Sequence, residues 1–180
     1  MISVNNKVLV SCNLNQKDTV KIGNSEFKMA LKYETNYRLK SPVVATVLEG
    51  NELLNKGDII ICHHNLFYEP SPYFLYGNVF SIPFSKVIFA KVLENGDLLP
   101  ICGNILGEKV SRETLLPVPP DEREFHKDRL LITNSGYTKY KNGQLVFTRP
   151  SAPYSIDYII DGVQKVAVKI SEDMITAVMK

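Results

Sequence analysis

The sequence predicts an all-β protein, and three observations carry that reading. Apolar and polar residues alternate in short runs, the period expected of half-buried strands. Turn signals rich in glycine and asparagine punctuate those runs roughly every ten residues. No stretch of useful length repeats its apolar residues at the spacing of a helix.

The elements follow in order. Val8-Leu9-Val10 opens a strand. Val20 and Ile22, then Phe27, Met29, Leu31 and Tyr33, alternate on either side of Gly23-Asn24-Ser25, which predicts two strands joined by a turn. Val43 to Val47 is a third apolar run, closed by Glu49-Gly50-Asn51. Lys56-Gly57 introduces Asp58 to Cys62. Phe80, Ile82 and Phe84 alternate, and Val87 to Val92 leads to the hairpin signal Glu94-Asn95-Gly96-Asp97. Ile101 to Val110 is strand-like again. The run Leu115-Leu116-Pro117-Val118-Pro119-Pro120 cannot be a central strand, because proline donates no ladder hydrogen bond. It reads either as a stiff connector or as an extended recognition segment. Leu130 to Thr133, Leu145 to Thr148, Val166-Val168-Ile170 and Met174 to Val178 complete the strands. Short strands at this spacing suit a barrel or a sandwich.

The halves resemble each other. Gly50 and Gly136 are 86 residues apart, as are Gly57 and Gly143. The same separation places Phe80, Ile82 and Phe84 on Val166, Val168 and Ile170, and Ser85 on Ser171. It also places Ile88, Phe89 and Val92 on Met174, Ile175 and Val178. With a short gap, Ser71-Pro72-Tyr73 matches Ala152-Pro153-Tyr154. The chain therefore reads as a tandem duplication, with unit 1 at residues 1–97, including a long hairpin excursion at 13–41, and unit 2 at 98–180.

Composition narrows the function classes. Lysine and arginine number 21 against 19 acidic residues, with no basic stripe of the kind that binds nucleic acid. The longest apolar runs are too short for a membrane span, and "MISVNNKVLV" lacks the regions of a signal peptide, so a secreted or membrane-bound protein is not expected. Cys12, Cys62 and Cys102 are odd in number and widely spaced, which is neither a disulfide framework nor a zinc motif.

Cys62-His63-His64 is the most chemical-looking triplet. On a strand, Cys62 and His64 share one face and His63 takes the other. A metal would need further ligands from Cys12, Cys102 or His126, and a Cys-His nucleophile would need an orienting group and an oxyanion site. The duplicate carries Thr148, Arg149 and Pro150 at these positions, so the fold does not require cysteine or histidine there. The expectation is no catalytic residue, no metal and no cofactor. Asp121-Glu122-Arg123-Glu124 reads as a solvated loop.

"YIIDGVQKVAVKISEDMITAV" (Tyr158 to Val178) resembles the C-terminal part of chaperonin-10 (GroES-like) co-chaperonins, and "KVLV", "PVVATVLEG" and "NKGDIIICHHN" follow that family's order in the first half. The resemblance implies two tandem, small, partly open β-barrels, no enzymatic activity, and homo-oligomers held by pairing of terminal strands. Family members reach their chaperonin through a glycine-rich loop with an aliphatic tripeptide. Here the corresponding excursion has one glycine and alternating apolar residues, so a fixed hairpin is expected. Phe27, Met29, Leu31 and Tyr33 either pack on their own barrel or form an arm that adds strands to a neighbour. With Leu115, Leu116 and Val118 they are the candidate partner-binding residues. The expected function is a non-enzymatic assembly protein of a phage virion that binds capsid subunits. The alternative is a co-chaperonin that caps a chaperonin ring in the host cytoplasm.

Overall fold

The computed structural model describes residues 6–12, 19–22, 25–28, 43–63, 65–67, 71–112, 124–150, 152–160 and 163–179; residues 19–22, 25–28, 157, 159, 163 and 164 are described by their backbone alone. The protein is all-β, with antiparallel sheets and, among the described residues, a single 3-10 turn at Glu172–Met174 in place of any α-helix. It divides into two compact units, Met1–Phe84 and Ser85–Lys180.

The first unit contains β1 (Lys7–Ser11), β2 (Thr19–Ile22), β3 (Ser25–Lys28), β4 (Val44–Glu49), β5 (Ile59–Cys62), β6 (Phe74–Tyr76) and β7 (Val79–Pro83). Five of these lie side by side in the order β6-β7-β1-β4-β5. Alternation on β1 and β7 sends Val8, Val10, Phe80 and Ile82 into the core, where each has no exposed surface. Phe80 packs edge-to-face on Phe67 and Phe74, with ring centroids 5.3 and 5.5 Å apart. Among the described residues β2 and β3 pair only with each other, in a two-stranded sheet.

The second unit contains β8 (Ile88–Val92), β9 (Leu98–Pro100), β10 (Asn104–Ser111), β11 (Phe125–Asn134), β12 (Leu145–Thr148), β13 (Tyr154–Ile160), β14 (Val163–Ser171) and β15 (Ile175–Val178). β8 and β9 form the hairpin that the Asn95-Gly96 turn predicts. The other six form a sheet in the order β13-β14-β10-β11-β12-β15. Ile105, Leu130, Ile132, Val146 and Ile170 make its core.

The order β6-β7-β1-β4-β5 is repeated as β13-β14-β10-β11-β12, and the repetition extends to individual hydrogen bonds. A bulge falls between Leu9 and Val10 where β1 meets β4, and between Leu106 and Gly107 where β10 meets β11. Gly57 N–H donates to the Val47 carbonyl at 2.8 Å, and Gly143 N–H to that of Ile132 at 2.8 Å. Val47 N–H in turn donates to the Asp58 carbonyl, and Ile132 N–H to that of Gln144. Both glycines have positive φ, 93° and 82°, where an L side chain is strained. Tyr73 and Tyr154 begin the same edge position, as the Pro-Tyr match predicts.

One part of the sequence alignment is corrected. A constant separation puts Phe84 on Ile170, but Val8 pairs with Ile82 and Ile105 with Ile170, and all four are fully buried. Ile82 is therefore the counterpart of Ile170, and Phe80 that of Val168. The slip of two residues preserves the inward face, since strand side chains alternate with a period of two. Gly50 and Gly136 also part company: Gly136 has a φ of 55° and Gly50 is not in the left-handed region.

Candidate functional site

The second unit departs from its twin where β10 and β14 separate. In the first unit, β1 and β7 stay paired through Ser11 and Val79, and Cys12 N–H then donates to the Asn78 carbonyl at 3.0 Å. In the second, the ladder runs from Asn104–Ser171 to Gly107–Val168 and stops. Both strands continue. β10 goes on beside β11 to Ser111, and β14 goes back beside β13 to Val163. Two ribbons therefore diverge from Gly107, and among the described residues the facing edges of 108–111 and 163–167 have no ladder partner.

A groove of about 650 Å³ lies in this fork. Leu106, Gly107, Glu108, Lys109 and Phe125 line one side, and Ser155, Tyr158, Val166, Ala167 and Val168 the other, with Leu98 and Thr133 completing it. The apolar face of β14 explains its character. Ile170 is fully buried, Val168 packs against the core, and Val166 is 62% exposed. The stripe that closes the core thus runs on into open groove. Phe125 at the start of β11 is exposed as well. Burial pushes the Tyr158 hydroxyl above its usual range, so it is a neutral donor at ordinary pH. Gly107 is forced at the fork, because a Cβ there would strike the Leu131 carbonyl and the Leu130 side chain.

A polar cluster forms at the other end of the β10–β14 ladder. Asn104 is fully buried, and its amide NH₂ donates to the carbonyls of Ile101 (2.9 Å), Ile88 (3.0 Å) and Lys86 (3.3 Å). Its Oδ1 accepts from Lys169 Nζ at 3.4 Å. That ammonium also sits 4.2 Å from the centroid of the Phe89 ring. Burial lowers the Lys169 pKa to about 8, opposed by the charge of Asp173 and reinforced by that of Lys86. Lys86 bridges Asp173 at 2.8 Å and holds that carboxyl below its usual range. The amine is wedged between a ring and an amide and does not line the groove. Its chemistry is that of a staple holding β14 to the turn before β10.

The cysteine-histidine triplet proves to be a strand end. Cys62 is fully buried at the close of β5. His63 Nδ1 accepts the Asn65 N–H at 3.1 Å, and His64 lies outside the described residues. Among the described residues no three His, Cys, Asp or Glu side chains converge to hold a metal. Burial pushes the Cys12 thiol up to about 12 and the Cys102 thiol to about 11, so both are protonated at ordinary pH and neither is an activated nucleophile.

The sequence-predicted partner-binding residues are not assembled by the described structure. Phe27 lies on β3, where only the backbone is described, and Met29, Leu31, Tyr33, Leu115, Leu116 and Val118 lie outside the described residues. Sequence reasoning missed the fork. Its one signal is the length of the segment from Tyr154 to Ser171, which exceeds the Phe74–Pro83 ribbon that it duplicates. No protein-family model matches the chain, and no curated protein or solved structure matches it either.

Proposed function

We propose that the protein is a non-enzymatic assembly component: a duplicated GroES-like β scaffold, its units built as small partly open barrels, that binds protein neighbours. The neighbours in first place are capsid subunits of a phage virion. The observation that supports this reading is the fork. The scaffold is used twice in one strand order, and among the described residues the second copy alone opens its β10–β14 ladder, onto a groove with both polar and apolar walls. Open strand edges beside an apolar stripe suit the capture of a protein segment by strand addition, in which main-chain hydrogen bonds bind and alternate side chains select. The resemblance of "KVLV", "NKGDIII" and the C-terminal segment to the co-chaperonin family supports the scaffold part of the reading.

The test compares two partners. Recombinant protein is added to a chaperonin and its ATPase followed, and purified virions from the source are analysed by mass spectrometry for this chain. Stoichiometric incorporation in particles, with no change in ATPase, is the expected result. Damped ATPase and an absence from particles would replace the assembly reading with the co-chaperonin one.

A further inference from the structure

We propose that the protein self-associates head to tail, the β2–β3 hairpin of one copy adding its strands to the fork between β10 and β14 of a second copy. The proposal rests on the assembly reading above and specifies one partner for it, another copy of the chain.

The fork supplies two acceptor edges. Beyond Gly107–Val168 the facing positions would be Glu108 with Ala167, Lys109 with Val166 and Val110 with Lys165, and among the described residues these do not pair with each other. The β14 edge is held by a continuous ladder to β13 as far as Val163, and the β10 edge by β11 at Glu108–Leu131 and Lys109–Leu130, before the register shifts ahead of Ser111. Preformed edges of this kind lower the ordering cost of adding a strand. The first unit carries its ladder one pair further, to Ser11–Val79, with Cys12 N–H on the Asn78 carbonyl beyond it, so parting at this point is not a requirement of the scaffold.

The hairpin supplies what the fork lacks. Thr19–Ile22 and Ser25–Lys28 pair in the register Thr19–Lys28 to Ile22–Ser25, and the two outer edges have no ladder partner among the described residues. A lone two-stranded ribbon is marginal in water and gains stability by joining a larger sheet. Its strands are four residues long, against four and five residues on the fork's edges. Its sequence alternates Val20, Ile22 and Phe27 with polar neighbours, the pattern of a strand with one apolar face. Val166, exposed in the fork, is the apolar surface such a face would cover. Because donor and acceptor are different surfaces, the contact is heterologous and propagates to a ring or a filament.

Sedimentation equilibrium on the full chain reads the outcome. The wild type is expected to show a concentration-dependent rise in mass beyond the monomer. Val166→Asp damages the fork, and Lys21→Pro with Glu26→Pro damages the arm; each variant alone is expected to be monomeric. Mixed in equal amounts they are expected to form a dimer and no larger species, since the mixture offers one intact arm to one intact fork. Amide exchange on the wild type needs no variant: protection at 108–110 and 165–167 should rise with protein concentration. A wild type that stays monomeric, oligomers that survive both lesions, or variants that fail to complement would overturn the proposal. Detection of the chain in virions together with a monomeric wild type would remove the arm-in-fork contact and leave the assembly reading standing.

Discussion

Replacing Lys169 by methionine should stabilise the protein at neutral pH, and the gain should disappear in alkali. The folded ammonium is displaced from 10.5 to about 8, chiefly by burial. At about 1.4 kcal/mol for each pH unit, that displacement is about 3 kcal/mol of cost to keeping the charge in the fold. The Phe89 ring favours the ammonium by about 1–2 kcal/mol, and the amine is still partly in contact with solvent, which reduces the cost further. Methionine, a side chain of similar length without the charge, also withdraws the long 3.4 Å donor from the buried Asn104 Oδ1, so a gain of about 1 kcal/mol at pH 7 is expected for Lys169→Met. The sign of the pH dependence follows from proton binding. Between about 8 and 10.5 the unfolded lysine keeps its proton while the folded one has released it, so wild-type stability rises with pH across that window. The advantage of the variant should be full below pH 8, decline through the window, and vanish above 10.5. Urea unfolding of both proteins from about pH 7 to about pH 11 measures the difference, with other titrating groups cancelling. A variant less stable at pH 7, or a difference that stays constant with pH, would refute the account of Lys169 as a desolvated staple.

Three further outcomes follow. Asn104→Ala strands the Ile88 and Ile101 carbonyls without their buried donor and should cost about 2–4 kcal/mol in urea unfolding; Asn104→Asp, which loses the NH₂ group, should not rescue it. Gly107→Val should cost about 1–3 kcal/mol and Leu130→Ala about 2–5, while the double variant should cost clearly less than the sum, because trimming Leu130 removes two of the three atoms that the new Cβ would meet, leaving only the Leu131 carbonyl. Cys62→Thr should change stability by less than about 1 kcal/mol and leave partner binding intact, since Thr148 fills the same place in the twin and bonds locally to the Arg149 carbonyl; a large loss would mean that the cysteine does more than pack.

How much was legible depended on the range of the interaction. Alternation exposed most strands of the fold, and Gly57 and Gly143 marked equivalent turns because both need positive φ. The Pro-Tyr pair entering β6 and β13 was legible for a similar reason, as a fixed entry into an edge strand. Val166 shows the limit. Periodicity placed it on the same face as Ile170, correctly, but whether that face is covered depends on which strand lies beside it. The separation of β10 from β14 is a tertiary event with no local code, and so the groove was invisible. The Lys169 staple was hidden likewise, for its partners lie at Asn104 and Phe89, far off in the chain. Cys62 misled in the opposite direction, since a reactive residue type drew attention to a side chain fully buried at a strand end.

Two successive copies of one strand order pose a hazard during folding, because β1 could be captured by the scaffold meant for β10, and the reverse. The bulge position counters it. In the first unit Val10 pairs with Val47; in the second, Gly107 pairs with Ile132, and a Cβ at Gly107 would already collide with the Leu130 side chain and with the backbone of Leu131. A strand bearing Val10 does not fit the second frame, and one bearing Gly107 leaves the space of a fully buried valine unfilled in the first. The difference in bulk at this one position of the bulge makes each frame selective for its own strand. A nascent chain can thereby sort its repeats by size.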